Sequence, residues 1–254
     1  EIVNVEEEMA KDVTGMAEDH FDGPDIVEED DANPHFDGPD IVEEDDANPP
    51  PPVLSPEEEK AKLEKLLPMF QSEQNPIHPY RLAYEVNEFL NEDTIYIGDG
   101  GDIVTISAQA VRPRGPGQWM DPGALGSLGV GTGFSMAAKL ANPQKEVVCL
   151  YGDGSFGMTA FDMETAQRFG APYLAIVGNN SAMNQIRYGQ IAKYGEQRGG
   201  VGNKLGDVDF SLFGKMIGGY GEEVREASEI RPALERAARP ARASPARRCA
   251  RRAT

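Results

Sequence analysis

Val147-Val148-Cys149-Leu150-Tyr151-Gly152-Asp153-Gly154-Ser155, answered downstream by Val177-Gly178-Asn179-Asn180, decides the fold. An apolar run ends in Gly-Asp-Gly, a helix-like stretch follows, and a second apolar run ends in Asn-Asn. Short apolar runs bounded by turn residues read as strands buried on both faces. The two runs and the stretch between them therefore form one β-α-β unit of an open parallel sheet. A carboxylate stands at the tip of one strand and an amide at the tip of the next, where ligands of such sheets bind.

The residue types at those tips define a chemistry. Mg²⁺ takes six oxygens in near-octahedral geometry, usually one or two from side chains and the rest from phosphate and water. Asp153 offers a charged oxygen and Asn180 a neutral one. Gly152 and Gly154 let the backbone approach a ligand without a Cβ in the way. The amides of Gly154 and Ser155, at a helix start, are placed to donate to phosphate oxygens. The same residues, Gly152-Asp153-Gly154-Ser155-Phe156-Gly157, also match G-x-G-x-x-G, the dinucleotide fingerprint. That fingerprint requires an acidic residue about twenty positions on, at the next strand end. Here that strand ends in Gly178-Asn179-Asn180, and an Asp inside the turn would repel a pyrophosphate without an intervening cation. A metal-bridged diphosphate is the better reading, and a ligand-free Gly-Asp-Gly turn is the bland one.

The segment resembles the thiamine-diphosphate motif, GDG followed by NN. Met120-Asp121-Pro122-Gly123-Ala124-Leu125-Gly126-Ser127-Leu128-Gly129-Val130-Gly131 is similar to the glycine-rich stretch before GDG in the acetolactate synthase and 2-hydroxyacyl-CoA lyase group. Gly178 to Gly189 resembles the loop that follows the second strand in acetolactate-synthase-like sequences. The resemblance runs from about Asn75 to Ala237 and implies the C-terminal, diphosphate-binding domain of a much larger enzyme. The implied fold is α/β, a doubly wound parallel sheet with helices on both faces. The implied cofactors are thiamine diphosphate and Mg²⁺, with Asp153, Asn180 and the main-chain carbonyl of Ala182 as metal ligands. Gly101, Asp102, Ile103, Gly126, Leu128, Gly152, Gly154, Ser155, Met183 and Asn184 complete the implied cofactor contacts. Leu128 stands where relatives buttress the bent cofactor, and Gly126 where a carbonyl accepts from its 4′-amino group; core packing is the plain alternative for Leu128. Asp102 has a second reading as a helix cap.

The resemblance further implies attack of the thiazolium ylide on a 2-keto acid or acyl-CoA carbonyl, the cofactor carrying the carbanion chemistry. The glutamate that generates the ylide belongs to a pyrimidine-binding domain that is not found in this sequence, and Glu85 and Glu88 do not replace it. The expected function is the cofactor-anchoring part of an acetolactate synthase-like enzyme, completed by a pyrimidine-binding domain or subunit in a homo- or hetero-oligomer. The alternatives are part of a 2-hydroxyacyl-CoA or oxalyl-CoA lyase, and a non-catalytic remnant. Arg187, Tyr188 and Lys193 read as substrate contacts, subunit contacts or solvated loop charges.

The remaining composition sets boundaries. The net charge of −19 lies almost wholly in the first fifty or so residues, where Lys11 is the only basic residue. Within them His20 to Pro34 recurs as His35 to Pro49, too few copies for a solenoid. Low hydrophobicity and dense like charge predict disorder for residues 1–54, ending in the Pro49 to Pro52 spacer. The carboxylates there do not follow EF-hand spacing. The globular domain is expected over 55–237 and an irregular basic tail over 238–254, without the last strand that relatives add. The start at Glu1 rather than Met fits a fragment or processed product. With no long apolar run and no charged-then-apolar leader, neither a membrane span nor secretion is expected. Cys149 and Cys249 read as reduced thiols, the chain as cytoplasmic, and nucleic acid as no partner.

Within the domain, Ser55-Pro56-Glu57-Glu58 predicts a helix start, with Pro68 ending that helix near Leu67. A second helix is predicted from Pro79 to Leu90, a strand over Thr94 to Ile97, a linking helix from Thr159 to Phe169 capped by Thr159 and Asp162, and a strand over Tyr173 to Val177. Asp209 to Ile217 reads as helix and Glu223 to Arg225 as strand. Ser228 is the expected cap of a final helix ending at Ala237.

Overall fold

The computed structural model describes residues 2–6 and 55–242. It separates into two compact units, Asp12–Lys65 and the rest of the chain. Of the first unit only residues 55–65 are described. They begin helix α1 (Pro56–Phe70), whose Ser55 and Glu58 close a reciprocal capping box: the Ser55 amide donates to Glu58 Oε2 (2.8 Å) and the Glu58 amide to Ser55 Oγ (3.3 Å). Pro68 lies inside this helix rather than ending it. The acidic repeat, the proline spacer and the tail beyond residue 242, Cys249 included, lie outside the described residues.

The larger unit is an all-parallel six-stranded sheet in the order β3-β2-β4-β5-β1-β6. The strands are β1 (Ile2–Glu6), β2 (Ile95–Asp99), β3 (Trp119–Met120), β4 (Val147–Gly152), β5 (Leu174–Asn179) and β6 (Gly221–Val224). The helices in chain order are α2 (Pro79–Phe89), α3 (Asp102–Ala110), α4 (Gly131–Ala141), α5 (Asp153–Thr159), α6 (Asp162–Arg168), α7 (Asn184–Gly199), α8 (Ser211–Met216) and α9 (Ile230–Arg242). Side chains of β4 alternate between two cores as a period of two requires. Val148 and Leu150 pack with Leu82 and Val86 of α2 and Ile230 and Leu234 of α9. Cys149 and Tyr151 pack on the other face with Ala138 of α4, Phe156 of α5 and Met163 of α6. The sheet is thus doubly wound, as expected, with one helical layer on each face.

Several expected boundaries move. Ile2–Glu6, assigned to a disordered leader, is a central strand; averaging over a long acidic stretch hid three β-branched residues, Ile2, Val3 and Val5. β3 was not anticipated, because two residues carry no periodicity. The expected Thr159–Phe169 helix is Asp162–Arg168, and a separate short helix, Asp153–Thr159, precedes it. Thr159 does not cap: its hydroxyl donates to the Gly129 carbonyl at 3.0 Å. The last helix is entered through a 3₁₀ turn, Ala227–Glu229, and continues to Arg242 rather than ending at Ala237. No described helix is long and apolar enough to cross a membrane.

Candidate cofactor-binding site

The chain leaves β2, visits the edge strand β3, and returns on the other side of β2 as β4. The strand order therefore reverses between β2 and β4, and the crevice outside their carboxyl ends is where such a sheet binds ligands. A cavity of about 60 Å³ lies there. It is lined from β2 by Gly101, Asp102 and Ile103, from β4 by Gly152, Asp153, Gly154 and Ser155, and from β5 by Asn180, Ala182, Met183 and Asn184, with Leu128 reaching in from the glycine-rich loop. The resemblance-derived set is brought together with one exception. Gly126 is exposed and does not line the cavity, because the loop turns outward through Gly123 and Gly126, both at positive φ. Gly100, Gly178, Gln185 and Ile186 line it as well; the last three fall within the Gly178 to Gly189 stretch that carries the resemblance, but none was singled out as a contact.

Asp153 is 5 % exposed and pins the site together. Its Oδ1 accepts from the Gly154 amide (2.8 Å) and its Oδ2 from the Ala182 amide (3.1 Å), which Asn180 Oδ1 also receives at 3.2 Å. Burial raises its pKa, and backbone donors from Gly154, Ala182, Ser181 and Asn180 oppose that rise. The two asparagines divide their labour. Asn179 is buried and structural, its Nδ2 donating to the Val208 carbonyl (2.9 Å) and its Oδ1 accepting from Ser181 (3.2 Å), while Asn180 faces the cavity. Between them and Ala182 the chain turns through Ser181 at φ +55°, a left-handed conformation unusual for a side-chain-bearing residue.

One expected donor is otherwise engaged, and the side chain beside the other is tied to the strand ends. The Gly154 amide is held by Asp153, and the Ser155 hydroxyl donates to the carbonyls of Asp99 (2.6 Å) and Gly152 (3.0 Å). That bond joins the ends of β2 and β4. Asp99, which sequence reasoning passed over, is fully buried, and its two oxygens accept from the amides of Gly129 (3.0 Å) and Gly131 (2.7 Å). It fixes the glycine-rich loop that carries Leu128. Arg187, Tyr188 and Lys193 do not line the cavity; Arg187 pairs with Glu196 at 3.0 Å.

Asp102 is the first residue of α3 and Gly101 holds the cap position, so Asp102 is not the cap. Desolvation pushes the Asp102 pKa up to about 6. A raised folded-state pKa means that the folded chain binds the proton more tightly. Stability is then lost as pH rises from the ordinary value of 3.8 toward 6. Asp102→Asn is expected to melt above the parent at pH 7–8, and the gap to close below about pH 4. Thermal melts across that range check it.

The donor set fits Mg²⁺: hard oxygens, one charged, and no thiol or imidazole. Among the described residues no group of three or more His, Cys, Asp or Glu could hold a metal, so a cation at this crevice would rely on Asp153 with neutral oxygens. A larger cavity, about 370 Å³, opens at the opposite, amino ends of β4 and β5 beside Lys139 and Tyr173 and lacks this donor arrangement.

Comparison with known proteins agrees with the geometry. The chain is 41 % identical to 2-hydroxyacyl-CoA lyase 2 of Danio rerio over 145 residues, 57 % of this chain and 23 % of the relative. It is 44 % identical to 2-hydroxyacyl-CoA lyase 2 of Homo sapiens over 119 residues, 47 % of this chain and 19 % of the relative. Acetolactate synthase large subunit IlvG of Mycobacterium tuberculosis is 35 % identical over 162 residues, 64 % of this chain and 29 % of the relative. The match thus spans less than a third of each relative's length. The profile of the thiamine pyrophosphate enzymes' C-terminal TPP-binding domain matches residues 99–246, more than half of the chain, and the chain belongs to that family.

Proposed function

We propose that this domain holds the diphosphate of thiamine diphosphate through Mg²⁺ bound by Asp153, Asn180 and the Ala182 carbonyl. In this reading it serves as the anchoring half of an enzyme that breaks or joins carbon–carbon bonds next to a carbonyl. The observation that carries the reading is the convergence of Asp153 and Asn180 on one amide, that of Ala182, at the strand-order reversal. Thiamine diphosphate, when bound, supplies the carbanion chemistry. The chain's own residues bind and orient. Asp153 and Asn180 would hold the cation, Gly101 and Gly152 offer Cβ-free backbone to the diphosphate, and Leu128 supports the cofactor beyond it.

Calorimetric titration of the folded chain with thiamine diphosphate and Mg²⁺ tests this; no heat at millimolar cofactor would defeat it. Catalysis would further require the glutamate of a pyrimidine-binding domain in another chain or segment, and turnover should appear only when one is supplied. Two substrate classes fit, 2-keto acids and 2-hydroxyacyl-CoA thioesters. Identity to the 2-hydroxyacyl-CoA lyases runs from 36 to 44 %, against 35 % for the acetolactate synthase, a margin too narrow to choose between them. A CoA-dependent cleavage assay on the completed enzyme separates them.

The cavity is narrow, about 60 Å³. Gln185 explains part of this. Its Oε1 lies 2.1 Å from where a Cβ on Gly101 would stand, so its carboxamide covers the seat that Gly101 leaves open. Gln185→Ala is expected to speed cofactor association several-fold by stopped-flow fluorescence. Slower association would count against the occlusion.

A further inference from the structure

The short helix α5 fastens two walls of the cofactor cavity, one at each end. Its first residue, Asp153, lies in the wall that would hold the metal, and its last, Thr159, reaches the glycine-rich loop. That loop has little else to steady it. Gly123 to Ser127 is exposed, Leu125 at 93 %, and Gly123, Gly126 and Gly129 all take positive φ. Leu128 lines the cavity, and the residue after it is gripped from two sides. The Gly129 amide donates to Asp99 Oδ1 at the end of β2 (3.0 Å), and its carbonyl accepts from the Thr159 hydroxyl (3.0 Å). The Thr159 methyl packs on the same glycine, Cγ2 lying 3.1 Å from where a Cβ would stand.

Behind Thr159 a row of hydroxyls leads into the core. Its Oγ1 is also within 3.4 Å of Thr132 Oγ1, Thr132 shares a hydrogen bond with the Tyr151 hydroxyl at 3.2 Å, and Tyr151 with that of Tyr173 at 3.1 Å. Thr132 and Tyr151 are fully buried and Tyr173 nearly so. A satisfied buried network is rigid, so the half-buried threonine at its outer end is held in one orientation. We propose that Thr159 is a positioning residue that sets Leu128 against the organic part of the cofactor, beyond the diphosphate. This rests on the reading that the cavity takes thiamine diphosphate. The charged half of the site is built separately, since the Ala182 amide joins Asp153 and Asn180 without the loop. Losing the Thr159 hydroxyl should therefore divide the two halves of the ligand. It should not unfold the loop, because Asp99 still holds the amides of Gly129 and Gly131.

The full chain is titrated calorimetrically with Mg²⁺ and inorganic pyrophosphate, and separately with Mg²⁺ and thiamine diphosphate. Thr159→Val keeps the shape and removes the hydroxyl. It should bind thiamine diphosphate about 5-fold more weakly than the parent, the net worth of one hydrogen bond, and pyrophosphate within about twofold. Thr159→Ser restores the hydroxyl and should stay within about twofold of the parent for both ligands. Unchanged affinity of Thr159→Val for thiamine diphosphate overturns the inference. An equal loss for both ligands does so too, because it makes the threonine a general support of the fold. A serine variant as weak as the valine one gives the role to the methyl and overturns it equally. Those three outcomes leave the cofactor reading standing, whereas a parent that binds neither ligand defeats that reading and this inference together. If Thr159→Val is recovered only as aggregate, Thr159→Ala is read by the same two titrations with the same expected split.

Discussion

Asp153→Ala is expected to weaken Mg²⁺-dependent binding of thiamine diphosphate by about 100-fold or more, beyond the range typical of outer-shell partners of a metal ligand. The side chain would be the only charged protein ligand of the cation, and it also accepts the amides of Gly154 and Ala182. Its removal therefore strips the metal of its one anionic anchor and unfastens the turn that positions Asn180. Stability need not follow affinity. Burial already penalises the ionised carboxylate, so its loss relieves desolvation while leaving two amides without their acceptor. The two effects oppose each other. The expected melt shift is within a few degrees, against an affinity loss of two orders of magnitude. Asp153→Asn separates the contributions, keeping an acceptor for one amide and removing the charge; it should stay folded and still bind at least about 10-fold more weakly. Titration calorimetry with and without Mg²⁺ reads both variants, and retained affinity in Asp153→Ala would remove this residue from the site.

Asp153 and Asn180 were legible because their physics is local: strand, Gly-flanked carboxylate, strand, amide. The doubly wound sheet was legible for the same reason, since Val147 to Gly152 and Leu174 to Asn179 are short apolar runs ended by turn residues. What escaped depends on partners far away in the chain. Asp99 looks like one more turn residue after a strand, and only the tertiary fold sets its carboxylate beneath the amides of Gly129 and Gly131. β1 escaped because its neighbours, Leu174–Asn179 and Gly221–Val224, stand far from it in sequence. Gly126 shows the converse. A resemblance places it at the cofactor, whereas here it lies in an outward turn at φ +61°.

The alternation Gly129, Gly131, Gly133 reads in sequence as one feature, a stripe of small residues, and in the structure the three positions differ. Gly129 takes φ +88°, with Thr159 Cγ2 at 3.1 Å from any added Cβ. Gly133 faces open space. Gly131 opens α4 directly over the sheet. A Cβ there would stand 2.5 Å from Tyr151 Cε1, 2.8 Å from Asp99 Cβ and 2.8 Å from Cys149 Sγ. All three neighbours are fully buried and none is the far end of a mobile chain, so the helix itself must lift. Gly131→Ala is accordingly expected to destabilise by about 3 kcal/mol, at the upper end of overpacking costs, or roughly 6–12 °C in Tm for a domain of this size. Lifting α4 also draws the Gly131 amide from Asp99, and with it the loop bearing Leu128, so cofactor affinity should fall together with stability. Gly133→Ala on the same helix is the matched control. It adds a Cβ that touches nothing and gains helix propensity, so it should melt level with the parent or up to about 1 kcal/mol above it. If the two variants melted alike, close approach of α4 to the β2 and β4 tips would not be what the glycine at 131 serves.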